Sequence, residues 1–305
     1  MNQHPIAFFI FNRPEITRLT FERIRDLQPK MLFIVADGPR QEIESDCRNC
    51  TKTRGIVSKI DWDCEVFRDY SDINLGCKIR MSSGLDWVFE QVDTAIILED
   101  DCLTTPDFFR FCNELLDRYK DDKRVFSISG SSLNPEFHPV CQSSYYYSLY
   151  PLVWGWATWR RAWQYYDVTM SLWKSDRHVI NLKGLEKDWQ ILAYWEDVFN
   201  KTAQNEIDTW DYQWTFCSFL QSALHIIPSQ NLISNIGFGQ GATHTTQKSH
   251  LSNLATYAIH FPLKHPLTMM REYEADRLTE INVYQCRMRQ RILKKILGYL
   301  SKFKR

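Results

Sequence analysis

Three consecutive acids, Glu99, Asp100 and Asp101, close the apolar run Thr94-Ala-Ile-Ile-Leu98. Such a run suits a strand buried on both faces of a parallel sheet. Carboxylates crowded at the end of a buried strand repel one another and lose hydration. A hard divalent cation with oxygen ligands offsets both costs. Ligands of open α/β sheets bind at the carboxyl ends of strands, so this stretch predicts a metal-diphosphate site. The competing reading is a solvated acidic loop whose Asp101 merely precedes a helix.

Further candidates are spread along the chain. Arg13 follows a first apolar run, Ile6 to Phe11, and can hold a phosphate or a base carbonyl by paired hydrogen bonds; its plainer role is to cap a helix. Asp37 ends a second run and opens an Asp-Gly turn. Lys78 follows Asn74-Leu-Gly76 and is either a phosphate contact or a surface lysine. Asp208-Thr-Trp-Asp211 resembles a capping box at the start of a helix. A carboxylate there stays ionised, as a general base must, and Asp208 and Asp211 lie three residues apart on nearly the same helix face. His244 follows Gly237-Phe-Gly-Gln-Gly241, where glycines suit a lid that closes on a ligand. A neutral imidazole is a reasonable Mn2+ ligand, and Thr243 and Thr245 beside it can hydrogen-bond phosphates. Trp154, Trp156 and Trp159 either stack on a sugar, with Trp156 favoured, or pack the core.

The elements that must position these groups alternate in type. Strands are expected at Ile6 to Phe11, Met31 to Ala36, Cys64 to Arg68, 94–98 and Val125 to Ser129. Helices are expected from Pro14 to about Leu27, over 40–59, from Lys78 to Glu90 and from Thr105 to Tyr119. This spacing implies βαβ units and a doubly wound, mainly parallel sheet. No GxGxxG or P-loop follows the first strand, which argues against a dinucleotide dehydrogenase and a P-loop ATPase. After residue 130 the sequence turns aromatic and irregular, with a short helical stretch ending near Trp163. Helices are then expected over 185–202 and 208–224, and short strands over 225–227 and 232–236. Three parts follow: 1–130 as a nucleotide-binding half, 131–250 as an aromatic-rich half, and 251–305 as a C-terminal extension.

Composition narrows the class. The 305 residues carry 37 basic and 37 acidic side chains, so bulk charge gives no support to a nucleic-acid partner. The 11 Trp, 14 Tyr and 18 Phe cluster between Tyr145 and Trp214, where a sugar face could stack. The Ile6 to Phe11 run is too short for an export signal and lacks a basic leader. With nine cysteines, this favours reduced thiols in the cytoplasm. Cys47-Arg-Asn-Cys50 lacks a second CxxC and is a weak zinc candidate. From Cys286 to Arg305 there are eight Lys or Arg and no acid, with Ile292, Leu293, Ile296, Leu297, Leu300 and Phe303 on one helical face. Such a helix suits the anionic inner face of a membrane, unless it packs on the body.

Taken in order, Phe11-Asn-Arg-Pro14, Ala36-Asp-Gly38, Asn74-Leu-Gly76, Glu99-Asp-Asp101 and a late aromatic-acidic helix resemble glycosyltransferases of the GT-A fold. They look closest to a bacterial family-2-like group and are distantly similar to N-acetylglucosaminyltransferase I. Trp154-Gly-Trp-Ala-Thr-Trp159 and Gly241-Ala-Thr-His-Thr245 fit that group too, and the resemblance spans about residues 5 to 245. It implies an ExD form of the DxD motif, in which Asp101 binds Mn2+ or Mg2+ while Asp100 and Glu99 face the ribose and the donor sugar. It also implies that Asp37 accepts a hydrogen bond from the uracil imide, that His244 is a second metal or diphosphate ligand, and that Asp211 is the base of an inverting transfer.

The expected protein is therefore a cytoplasmic, peripherally membrane-attached hexosyltransferase. It would move a sugar from a nucleotide diphosphate donor, with UDP-sugar favoured, to a surface glycan or lipid-linked glycan. A sugar-nucleotidyltransferase is the nearest enzymatic rival, though Asn12-Arg-Pro14 lacks the glycine-rich loop it needs. A non-catalytic, membrane-associated glycan-binding protein is the rival from another class.

Overall fold

A computed structural model describes residues 3–139, 142–177, 182, 188–238 and 250–286. Its centre is an eight-stranded sheet. The first three strands are β1 (Ile6–Ile10), β2 (Met31–Ala36) and β3 (Glu65–Tyr70). β4 (Thr94–Glu99) and the short β5 (Cys102–Thr104) follow, then β6 (Val125–Ser129), β7 (Tyr145–Ser148), β8 (Trp156–Trp159) and β9 (Leu224–Pro228). The order across the sheet is β3-β2-β1-β4-β8-β6-β9-β7. The four strands that begin this order pair in parallel; β8 runs antiparallel to both β4 and β6. This is the mainly parallel α/β sheet that the alternation of elements predicts. One sheet crosses residue 130, where the sequence divides into two halves.

Residue alternation along the strands explains why helices cover both faces. Ile6, Phe8 and Ile10 of β1 pack on one side with Phe21 and Ile24 of α1 (Pro14–Leu27), Val57 of α2 (Glu44–Val57) and Phe108 of α4 (Pro106–Arg118). Ala7 and Phe9 pack on the other side with Leu85 and Val88 of α3 (Gly76–Gln91), Trp163 of α5 (Arg160–Trp163) and Trp214 of α8 (Asp211–Leu220). Gly84 lets α3 come close: a Cβ there would lie 2.6 Å from Val35 and 2.7 Å from Phe9. α6 (Ser171–Asp176) and α7 (Trp189–Ala203) build a separate aromatic cluster around Trp173, Trp195 and Phe199.

Several elements differ from the sequence expectation. β10 (Ile233–Asn235) falls within the expected 232–236 strand, but its partner is β5, which no hydrophobic run announces; the two form an antiparallel ribbon. α8 starts at Asp211, three residues later than expected, and ends at Leu220 because Leu224 already belongs to β9. α9 (Tyr273–Asn282) is an additional helix, tied down by a buried network: Asp276 accepts from Ser148 at 2.5 Å and from Arg271 at 2.5 Å. No helix among the described residues is long and apolar enough to cross a membrane. The basic stretch after Cys286 lies outside the described residues.

Candidate active site

The carboxyl ends of β1, β2 and β4 lie side by side, because Ile10 is in register with Ala36 and Phe9 with Glu99. That register delivers Arg13, Asp37 and Glu99-Asp100-Asp101 to one edge. The ribbon adds a further wall. Cys102 is opposite Asn235, Ile236 N–H donates to the Asp101 carbonyl at 2.9 Å, and Gly237 N–H donates to Asn235 Oδ1 at 2.9 Å. Gly237 lies so close to the acidic stretch that a Cβ on it would be 2.0 Å from Asp101 Oδ2.

Two adjoining cavities open here and share Arg13, Cys77 and Glu99. The larger, about 480 Å³, is lined by Glu99, Asp101, Asp208 and Asp211, by Trp154 and Trp210, and by Asn235 and Gly237 among others. The smaller, about 120 Å³, lies between Phe9, Phe11, Val35, Asn74, Arg80 and Met81. A third concavity of about 500 Å³ lies between α1 and α2, away from all of these acids.

Arg13 holds the acidic stretch together. Its Nη2 donates to Asp100 Oδ1, its Nε reaches Asp100 Oδ2 at 3.4 Å, and Nη2 also lies 3.0 Å from Asp101 Oδ2. Thr17 and Thr20 of α1 support Asp100, the latter donating to its carbonyl at 2.7 Å. Burial works against the Arg13 charge, but Asp100, Asp101 and Glu99 outweigh it and hold the guanidinium more firmly protonated. Burial also pushes Asp100 up, with Arg13 pulling the other way. Glu99 is drawn down by Arg13 only through space, and that pull is outweighed. Enclosure, then Asp101 and Asp100, push its carboxyl up to about 8.

Several residues that the sequence singles out find other work. Arg13 occupies the N-cap position of α1 without a side-chain cap bond, and Asn12 instead donates to Asp46 at 2.7 Å. Asp100 lines the smaller cavity, with its carboxylate bonded to Arg13 and Thr17. Asp37 accepts four hydrogen bonds. Gly38 N–H and Leu75 N–H reach Oδ1 at 2.8 and 2.9 Å, and Asn74 Nδ2 and Gly76 N–H reach Oδ2 at 3.0 and 3.1 Å. Its acceptor capacity is filled by the Asn74-Leu-Gly76 turn, so a uracil imide would have to displace one of these donors. Lys78 points away and donates to Asn205 at 2.7 Å. Trp156 is 1% exposed, stacked 5.5 Å from Trp210 and packed on Trp214, with no face left for a sugar. Trp154 and Trp210 line the cavity instead.

The two acids before and at the start of α8 do reach the cavity. Asp208 does not cap the helix: the N-cap position is Trp210, with no side-chain bond. Asp208 Oδ2 lies 3.9 Å from the position of a Cβ on Gly76, whose φ of +77° favours glycine. Thr209 donates to Asp211 Oδ1. Thr243 and His244 lie outside the described residues. Nothing local in the chain marks Thr17, Thr20, Cys77 or Arg80 as members of this edge. Their helical spacing reads only as core-facing.

Whether the donor set suits a divalent cation is decided by charge. The larger cavity collects four carboxylates against Arg13, which is already paired, so an anionic diphosphate needs a further cation to enter. Among the described residues no three His, Cys, Asp or Glu converge closely enough to enclose an ion. A divalent cation at this edge would have to draw its remaining ligands from a diphosphate and water.

No protein-family model and no curated protein matches the chain. Among solved structures, a protein provisionally assigned as a nucleotide-diphospho-sugar transferase from Desulfovibrio desulfuricans G20 aligns at 10% identity. The match covers 53% of this chain and 65% of that one, with a TM-score of 0.30; this chain thus spans under two thirds of that relative. A mannosyltransferase from Pyrobaculum calidifontis, solved with GDP-Man and Mn2+, aligns at 10% identity over 72% of this chain and 69% of that one, with a TM-score of 0.37. Mouse xyloside xylosyltransferase 1, in its apo form, aligns at 12% identity over 70% and 81%, with a TM-score of 0.34. TM-scores this low leave the assignment of residues and activity to the geometry of the site.

Two outcomes follow from the packing and charge at Asp101 and Glu99. Gly237→Ala must push the whole Asp101 side chain aside, and is expected to weaken Mn2+-dependent nucleotide binding, at a stability cost of about 1–3 kcal/mol. Unchanged binding by calorimetry would show that Asp101 does not serve the ligand. The raised Glu99 carboxyl contributes stability that is present below pH 4.5 and is lost as pH rises through about 8. In metal-free protein, the urea midpoint of wild type is expected to fall relative to that of Glu99→Gln across this window. Parallel curves would contradict the assignment.

Proposed function

We propose that the chain is a metal-dependent, inverting glycosyltransferase of the GT-A type. It moves a hexosyl group from a nucleotide diphosphate donor to a surface glycan or lipid-linked glycan. The observation that carries this reading is the carboxylate-rich cavity at the ends of β1 and β4, joined through Arg13 to a small pocket beside Phe11. The nucleoside would occupy the smaller pocket and the diphosphate would pass Arg13.

A bound Mn2+ or Mg2+ would supply Lewis-acid stabilisation of the charge that develops on the leaving diphosphate. Asp101 is the residue that would hold it, with His244 a further candidate ligand, and Glu99 would face the donor sugar. Arg13 orients the diphosphate by paired donors. Asp211, steadied by Thr209, takes the proton of the acceptor hydroxyl as that oxygen bonds to the anomeric carbon. The bond from that carbon to the diphosphate breaks with its electron pair, and in-line displacement inverts the configuration. Trp154 and Trp210 line the space in which the sugars would lie. The peripheral site of action rests on the basic stretch after Cys286.

Calorimetric titration with UDP, GDP, dTDP and CMP, each with and without Mn2+, tests the donor class. Binding of one nucleoside diphosphate that needs Mn2+ and weakens at least about tenfold in Asp101→Ala is expected; absence of binding to all four would sink the reading. Asp211→Asn should cut transfer by about 10²- to 10⁴-fold with donor affinity within a few-fold. Deleting residues 286–305 should lower flotation with anionic liposomes, and unchanged flotation would remove the membrane from the proposal.

A further inference from the structure

Arg13 stands in two roles that cannot be filled at once. It lines both cavities, at the junction past which a diphosphate would run, together with Cys77 and Glu99. Yet its Nη2 is held between Asp100 and Asp101, and its Nε faces Asp100. Nη1 has no hydrogen-bond partner among the described residues. The grip on the two acids is unequal. Asp100 is 3% exposed, takes two guanidinium nitrogens and is backed by Thr17. Asp101 is more open, takes one bond of 3.0 Å and sits on the cavity wall beside Gly237.

We infer that Arg13 is an exchangeable counter-ion, displaced from Asp101 by the arriving divalent cation while it stays anchored on Asp100. The inference rests on the glycosyltransferase reading and adds a device to it. Without a donor, the guanidinium neutralises Asp101 and keeps the acidic edge compact. A divalent cation on Asp101 takes over that neutralisation and repels Arg13, since two like charges then share one carboxylate. The Nη2 N–H that faced Asp101 and the Nη1 donors are then offered to the diphosphate, whose negative charge relieves the repulsion, while Nε and the other Nη2 N–H stay on Asp100. Cation and diphosphate therefore bind cooperatively: each removes an obstacle to the other, and by linkage the coupling is the same in both directions. Arg13 thus acts as a positioning residue for the cation and as a ligand for the diphosphate.

The test is Mn2+ affinity measured by electron paramagnetic resonance of free Mn2+, with and without UDP and GDP, on protein of verified fold. Wild type is expected to bind Mn2+ weakly alone and more tightly with the nucleotide. Arg13→Gln should bind Mn2+ alone at least about tenfold more tightly than wild type, because the competing cation has gone, and should lose most of the tightening by nucleotide. Arg13→Lys, which keeps a positive charge, should stay near wild type without nucleotide. Removing Arg13 leaves Asp100 buried and unpaired, which can unfold the chain. The double variant Arg13→Gln/Asp100→Asn avoids this, and it should bind Mn2+ alone more tightly than Asp100→Asn does. If Arg13→Gln, or the double variant against Asp100→Asn, shows no tightening while wild type binds Mn2+ with nucleotide, Arg13 is not the competing counter-ion, although the transferase reading stands. If wild type binds no Mn2+ with either nucleotide, that reading and this inference fall together.

Discussion

Three adjacent carboxylates at the end of a buried strand are the constraint on which the rest of the site depends. The fold tolerates them because Arg13, from the end of the neighbouring strand, places one guanidinium across two of them. A buried carboxylate that loses such a partner costs several kcal/mol, of the order of 3 to 5. The pairing therefore makes the register of β1 against β4 a matter of stability as well as of shape. The Arg13 charge also reaches Glu99 but does not offset the enclosure and the two neighbouring acids, and the Glu99 carboxyl rises accordingly. A site arranged in this way has room for one more positive charge.

The surrounding elements fix where that charge can sit. The β5–β10 ribbon brings Gly237 against Asp101, and only the absence of a side chain lets the two approach. The Trp156–Trp210–Trp214 stack ties β8 to the start of α8 and so sets the height at which Asp211 enters the cavity. Asp37 clamps the Asn74-Leu-Gly76 turn, which closes the smaller cavity and carries Cys77 to the junction. The candidate groups on strand ends and a helix start are held by packing behind them.

Local pattern made the parallel half of the fold legible. The runs 31–36 and 94–98 are continuous and apolar, so both faces had to be covered, and the interleaved helices follow. The acids at strand ends were legible for the same reason, since the boundary between apolar run and charge is a local signal. What was not legible depends on partners distant in sequence. Asp37 reads as a turn residue or a base contact, and only the position of residues 74–76 shows that its oxygens are filled. Trp156 and Trp154 are two residues apart, yet one is core and the other lines the cavity, and the sequence alone does not say which is which. Arg13 reads as a phosphate ligand because its pairing with Asp100 crosses 87 residues. β5, at three residues, is too short to carry a pattern.

The most direct test of the central claim, that the acidic strand end receives a cation together with a diphosphate, is a crystal structure with Mn2+ and the tightest-binding nucleoside diphosphate. It should be read by anomalous scattering at the manganese edge. The account predicts one peak bonded to Asp101 and to diphosphate oxygens, the base beside Phe11, and Arg13 turned from Asp101 to the phosphates. A nucleotide bound with no manganese at Asp101, or manganese and nucleotide bound away from this edge, would contradict it.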